Sequence, residues 1–288
     1  IAGDDVTATV DPFVKDAEFS RIEDVPLTSY DRALVCTPDS DKMSVLNYLL
    51  ANGKHALVEK PLLAADESEL VALQQLASKQ STVCYTAYNH RFEPNLIRLR
   101  DLIQSGDLGQ IYLARLFYGN GTARDVRNSP WRDNGLGALA DLGSHLLDLV
   151  SFFWGNTDLD LALWSQNRFE NKAPDHVLFG GGTEPVLEME VSLMSWRNHF
   201  RVDMYGELGT AHVDGLCKWG PSDFCIRTRV LPSGKPDEKT VRLENADPTW
   251  EAEYRNFERL CDNGHDSLTD DIWLNRMLQK LRQGIKES

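Results

Sequence analysis

What most constrains this chain is a change of rhythm close to residue 92. Before it, short apolar segments, VTATV (6–10), RALVCT (32–37), HALVE (55–59) and TVCYTAY (82–88), alternate with stretches of helical periodicity. Met43, Leu46, Leu49 and Leu50 lie at helical spacing ahead of Asn52-Gly53, a helix stop. After HALVE, the acidic Asp66, Glu67 and Glu69 open a second helix whose apolar face is Leu70, Leu73, Leu76 and Ala77, ending near Lys79. Alternation of this kind predicts a parallel sheet with right-handed crossovers.

Beyond residue 92, EPNLIRLRDLIQSG (93–106) reads as a bridging amphipathic helix with Leu96, Leu99, Leu102 and Ile103 on one side and Gly106 as its stop. QIYLARLFYG, LDLALWSQ, VLEMEVSLMS, FRVDMYG, FCIRTRVL and TVRLEN then alternate with period two between Gly, Pro and Asn turns, which predicts a large, mostly antiparallel sheet. Helices are expected in this part only around 137–153 and 271–283. The expected division is an α/β domain over 1–92 and an α+β domain over 93–288.

Composition narrows the function classes. A length of 288 residues suits about two domains, and no apolar run approaches the ~20 residues that span a bilayer. The opening IAGDDVTATV lacks the basic and apolar regions of a secretory leader, so a cytoplasmic protein is expected. Cys36, Cys84, Cys217, Cys225 and Cys261 form no CxxC pair and read as reduced thiols. A net charge of −14 repels a phosphate backbone, which argues against nucleic acid as a partner.

Parallel sheets present ligands at the carboxyl ends of their strands, so the residues found there carry most weight. Asp11 after VTATV either hydrogen-bonds the hydroxyls of an adenosine ribose, favouring NAD over NADP, or opens a turn with Pro12. Lys60, in Glu59-Lys60-Pro61 after HALV, can donate to a substrate hydroxyl and steady an alkoxide, or be a solvated charge. In GLGALADLGSHLLDLVSFFWG (135–155), Asp141, His145 and Asp148 share a helix side. That spacing suits a carboxylate-oriented general base, a divalent-metal site of a hydrolase, or a satisfied buried polar group. Gly143 inside this helix implies a close approach to its backbone. Arg124, Arg127 and Arg132 gather with Trp131 in GTARDVRNSPWRDNG, either a site for an anionic or sugar substrate or a solvated loop.

Taken in order, TPDSDK (37–42), NGKHALVEKP (52–61), YNHRFEPN (88–95), SGDLGQI (105–111) and GALADLGSHLLD (137–148) resemble the glucose-fructose oxidoreductase, inositol dehydrogenase and MocA family over nearly the whole chain. The resemblance implies a Rossmann-like nucleotide-binding domain joined to an α+β domain whose open sheet makes a homodimer or homotetramer. It also implies NAD(P)-dependent hydride transfer at a hydroxyl or keto carbon of a sugar, cyclitol or related compound, without a metal. On this pattern Lys60 contacts nicotinamide ribose and substrate, His145 is the acid/base with Asp141 as its partner, and Thr37, Pro38, Glu59 and Arg91 lie at cofactor-contacting positions. Pro61 is expected to follow a cis peptide.

Two departures qualify the resemblance. Lys42 stands where the family often has histidine, and no G-x-G-x-x-G occurs in the chain. The second is expected to mean that the first strand-turn-helix unit of the nucleotide-binding domain is missing and that NAD binds poorly or not at all. A noncatalytic relative serving as a binding or assembly protein is the alternative expectation.

Overall fold

The computed structural model describes residues 6–264 and 268–285. The chain clusters into two compact units, one running up to Ala87 and including Glu251–Asn275, the other spanning Tyr88–Trp250 and continuing from Arg276. Residues 251–275 thus return to the first unit, which a single boundary at 92/93 does not anticipate. Among the described residues no helix is long and apolar enough to cross a membrane.

The first unit holds β1 (Arg32–Val35), α1 (Asp39–Ala51), β2 (His55–Glu59), α2 (Glu67–Gln80) and β3 (Cys84–Ala87). The strands pair in parallel in the order β1-β2-β3, with Val35 opposite Val58 and Glu59 opposite Ala87. The helix ends follow local chemistry. Asp66 caps α2 by accepting from the Ser68 N–H at 2.8 Å while Glu69 reaches back to the Asp66 N–H at 3.2 Å. Past the end of α1, Gly53 adopts φ 72°, a left-handed conformation that glycine takes at little cost. Leu46, Leu49 and Leu50 of α1 and Leu70 and Leu73 of α2 are wholly buried against Ala56, Val58 and Leu62.

VTATV does not form a strand. It makes an isolated parallel bridge, Val10 to Phe19, and Val6 remains 57% exposed. Strand propensity is realised only where a paired and packed neighbour exists, and among the described residues the segment pairs through this single bridge. The opposite surprise is α6 (Thr249–Asn263), followed by α7 (Thr269–Arg282). Phe257 of α6 is fully buried and stacks on Tyr85 at 6.5 Å, and Arg32 of β1 pairs with Glu258 at 3.1 Å and Asp262 at 3.3 Å. Trp250, Tyr254, Phe257 and Cys261 do carry helical spacing, but charges on nearly every other position dilute that signal.

The second unit opens with α3 (Pro94–Ser105) and contains β4 (Ile111–Gly119), α4 (Ala123–Arg127), α5 (Ser144–Trp154), β5 (Leu161–Asn167), β6 (His176–Gly181), β7 (Val186–Ser192), β8 (His199–Gly206), β9 (Gly209–Asp214), β10 (Ser222–Thr228) and β11 (Asp237–Leu243). The eight strands run in the order β11-β10-β9-β8-β4-β7-β6-β5, antiparallel except for the β4–β7 pair. One face is apolar: Leu116, Phe179, Met189, Phe200, Val202 and Val213 are all buried. The short strands β6 and β9 were not anticipated, because terminal glycines truncate their apolar alternation. A turn of π-helix, Leu139–Gly143, leads into α5, and a Cβ at Gly143 would meet Leu139 Cδ1 at 2.9 Å and Phe179 Cζ at 3.5 Å. The close approach expected there is this packing.

At the entrance to α3, Glu93 is completely buried and accepts from the Cys217 N–H at 3.1 Å, while Asn95 donates to the carbonyl and hydroxyl of Ser222 at 3.0 and 2.9 Å. Burial pushes the Glu93 carboxyl up; hydrogen bonds from Cys217 and Ser222 oppose this and the Asp247 charge adds to it. A raised folded-state value means the folded chain holds a proton that the unfolded chain releases. The associated stability is fully present below the unfolded value of about 4.3 and is lost as pH rises through the folded one. Urea unfolding across a pH series is therefore expected to show the wild type losing stability toward neutrality relative to Glu93→Gln, which cannot titrate. A pH-independent difference between the two would contradict this.

Candidate active site

In the first unit the ends of β1 and β2 lie side by side because their register is in step. Thr37-Pro38 leads directly into α1, and Glu59-Lys60-Pro61 follows β2 with a cis bond before Pro61. Lys42 joins the two turns. Its ammonium, 3% exposed, donates to the Pro61 carbonyl at 2.9 Å and pairs with Asp39 at 2.7 Å. The departure from histidine at this position thus has a structural role: one buried cation holds the turn bearing Lys60 against the start of α1. Lys60 and Glu59 are partly exposed at that edge. Thr37 Oγ1 is buried with no hydrogen-bond partner among the described residues, an arrangement that a polar ligand would relieve. Burial, then the Glu59 charge, pushes the neighbouring Cys36 thiol up, so it stays protonated near neutral pH.

Asp11 follows its turn reading. One carboxylate oxygen accepts from the N–H groups of Phe13 at 2.7 Å and Val14 at 3.0 Å, and the strand it was to terminate does not form.

In the second unit the segment Asn89–Phe92, a short 3₁₀ turn, organises the surroundings of α5. His145 is 5% exposed and stacks on His90, with ring centroids 4.2 Å apart and planes 22° from parallel. Tyr88 and Tyr118 meet the His145 ring edge-on, each at 5.7 Å. His90 Nε2 lies 2.9 Å from Lys218 Nζ, and that ammonium sits 4.5 Å over the Trp219 ring. Burial, then the Asp141 charge, pushes the Tyr118 hydroxyl far up, so it remains a neutral donor.

The structure reassigns several expected residues. The Arg91 guanidinium, placed by resemblance among cofactor contacts, is engaged by Asp148: Nε lies 2.9 and 3.0 Å from the two carboxylate oxygens and Nη2 lies 2.7 Å from one of them. Asp148 is thus an ion-pair partner of Arg91. Asp141 pairs with Arg132 at 3.5 Å. Arg124 lies 3.9 Å from Glu170 and is 85% exposed, and Trp131 is 65% exposed. The arginine-rich stretch thus brings Arg132 to Asp141 and leaves Arg124 and Trp131 in solvent. His90 and Lys218 carry no such signal in the sequence: His90 lies within YNHRFEPN, where arginine and glutamate are the more conspicuous residues, and Lys218 is an isolated basic residue whose significance comes only from the fold.

Comparison with known proteins agrees with this architecture. Residues 7–88 match the model of an oxidoreductase family with an NAD-binding Rossmann fold, and residues 96–212 match the GFO/IDH/MocA C-terminal domain. The chain is 30% identical over 249 residues to trans-1,2-dihydrobenzene-1,2-diol dehydrogenase of Oryctolagus cuniculus, covering 79% of this chain and 73% of that one. It is 32% identical over 126 residues to the rhizopine catabolism protein MocA of Rhizobium meliloti, covering 43% of this chain and 38% of that one. The match to the Bos taurus diol dehydrogenase spans 65% of that protein, so the first relatives are covered over less than two thirds of their length. Among solved structures, levoglucosan dehydrogenase in complex with NADH superposes with a TM-score of 0.78 at 18% identity, covering 92% of this chain and 81% of that one. Two consecutive family matches over both units, with a relative of this identity and coverage, establish that the chain belongs to the Gfo/Idh/MocA family of oxidoreductases.

Proposed function

We propose that this protein interconverts a hydroxyl and a keto group on a sugar, cyclitol or sugar derivative with NAD as the redox partner. The observation that carries the reading is His145: a buried imidazole whose ring plane is fixed by His90, Tyr88 and Tyr118, at the position where the family pattern puts its acid/base. Several matched relatives are dehydrogenases of such compounds by name, among them scyllo-inositol 2-dehydrogenase (NADP(+)) IolW of Bacillus subtilis and levoglucosan dehydrogenase of Pseudarthrobacter phenanthrenivorans.

In the oxidation direction His145 takes the hydroxyl proton, Lys60 donates to the oxygen and steadies its developing negative charge, and Asp141 supports the cationic form of the ring. A nicotinamide, when bound, would supply the hydride acceptor for this chemistry. Thr37, with its unsatisfied buried hydroxyl, Pro38 and Glu59 hold the dinucleotide at the carboxyl edge of the parallel sheet, in the manner usual for such sheets. Asp11, through the carboxylate charge beside its turn, favours NAD over a 2′-phosphorylated nucleotide. Arg124, Arg127, Arg132 and Trp131 favour an acidic or ring-shaped substrate, with Arg132 shared with Asp141. Pairing of the open sheet face between copies accounts for a homodimer or homotetramer, and the reaction suits a cytoplasmic setting.

Nucleotide absorbance at a panel of neutral, acidic and cyclic polyols, with NAD and NADP in parallel, tests the reading. With a glycine-rich strand-turn-helix supplied ahead of the described residues, turnover is expected with NAD, and Lys60→Ala and His145→Asn in that chain are each expected to lower kcat/KM by about 10²–10⁴-fold. Absence of nucleotide binding and turnover, or wild-type rates in both variants, would contradict it.

A further inference from the structure

We propose that Lys218 and His90 form a positioning pair for the His145 imidazole, an inference that rests on the functional reading of His145 given above. With Lys218 as an ammonium, which offers only donors, the His90 Nε2 atom 2.9 Å from its Nζ is the acceptor. In that arrangement His90 is a neutral ring with its proton on Nδ1. A cation this close also disfavours a second positive charge on the same imidazole. Lys218 is itself restrained by the face of Trp219 at 4.5 Å.

The fixed ring then acts on its neighbour. His90 is fully buried and wedged among Tyr118 at 5.3 Å, Phe200 at 5.4 Å and Trp219 at 6.2 Å, so it cannot swing away from the stack it makes with His145. Stacked imidazoles 4.2 Å apart do not both become cations readily, so keeping His90 neutral leaves His145 as the ring that gains and loses the proton. Titratable and charged groups that face the pair include Tyr88 just before the 3₁₀ segment and Tyr118 on β4, which meet the His145 ring; Asp141 acts on Tyr118 in turn, and Arg91 beside His90 is paired with Asp148 of α5. A base that must meet a substrate proton along one line benefits from a ring plane and a protonation assignment that are both set in advance.

The test is long-range ¹H–¹⁵N correlation on the ¹⁵N-histidine-labelled chain, with His145→Asn and His90→Phe used for assignment. In the wild type, His90 is expected to remain a neutral Nδ1–H tautomer through the range around pH ~6.5 where ordinary histidines titrate, while His145 titrates. In Lys218→Met, His90 is expected to take up protons in that range and the His145 titration to shift; Lys218→Arg is expected to restore the wild-type pattern. In a chain with measurable turnover, Lys218→Met is expected to lower kcat about tenfold with KM within about twofold, and Lys218→Arg to recover most of it. An Nε2–H tautomer at His90, His145 resonances indifferent to Lys218→Met, or an unchanged kcat would overturn the proposal. Spectra as expected in a chain that turns over no polyol would leave the pairing standing and remove the functional reading instead.

Discussion

The second unit depends on one ion pair, Arg91 with Asp148. The Asp148 side chain is 2% exposed and three short contacts from the guanidinium fork satisfy it. Removing the arginine would take three short charged contacts from a buried carboxylate, a change of the kind that costs about 3–5 kcal/mol. The pair matters beyond its energy because α5 is buried on nearly every side: Ser144 to Ser151 all lie in the interior. Its polar residues, Ser144, His145, Asp148 and Ser151, gather on one side at helical spacing, so the interior must satisfy charge and hydrogen bonds along that side as well as bury apolar surface. The ion pair anchors that side at Asp148, and His145, three residues upstream on the same side, stacks on His90.

The 3₁₀ segment that carries Arg91 makes other attachments. Asn89 donates to Thr249 Oγ1 at 3.0 Å and His90 stacks on His145, and directly after it, at the start of α3, Glu93 receives the Cys217 N–H and Asn95 holds Ser222. With about three residues per turn, a 3₁₀ segment sends neighbouring side chains in different directions, so few residues can tie several elements together. Lys42 does a comparable job in the first unit, where a single buried ammonium spans the turns after β1 and β2.

These devices explain what could be read from the sequence. The parallel strands β1 to β3, their crossover helices and most of the large sheet were legible because periodicity there coincides with burial. The carboxyl-end positions of Thr37 and Lys60 followed from that. VTATV has the composition of a strand but, among the described residues, pairs only through the Val10–Phe19 bridge, and α6 was hidden because Glu251, Glu253, Arg255, Glu258 and Arg259 surround its apolar stripe. Asp148 looked like a third metal ligand on spacing alone; only the fold brings Arg91, fifty-seven residues earlier, to its carboxylate. Lys218 could not be singled out, since its meaning lies in contact with a residue 128 positions away.

The most direct measurement of the central claim is native-state hydrogen exchange along α5 in Arg91→Met, compared with the wild type. If the ion pair anchors the helix, protection is expected to fall selectively over Ser144–Trp154 while the central strands β4 and β7 keep theirs. Unchanged protection across α5, with Asp148 buried and its guanidinium partner gone, would show that hydrophobic packing alone holds the helix and with it His145.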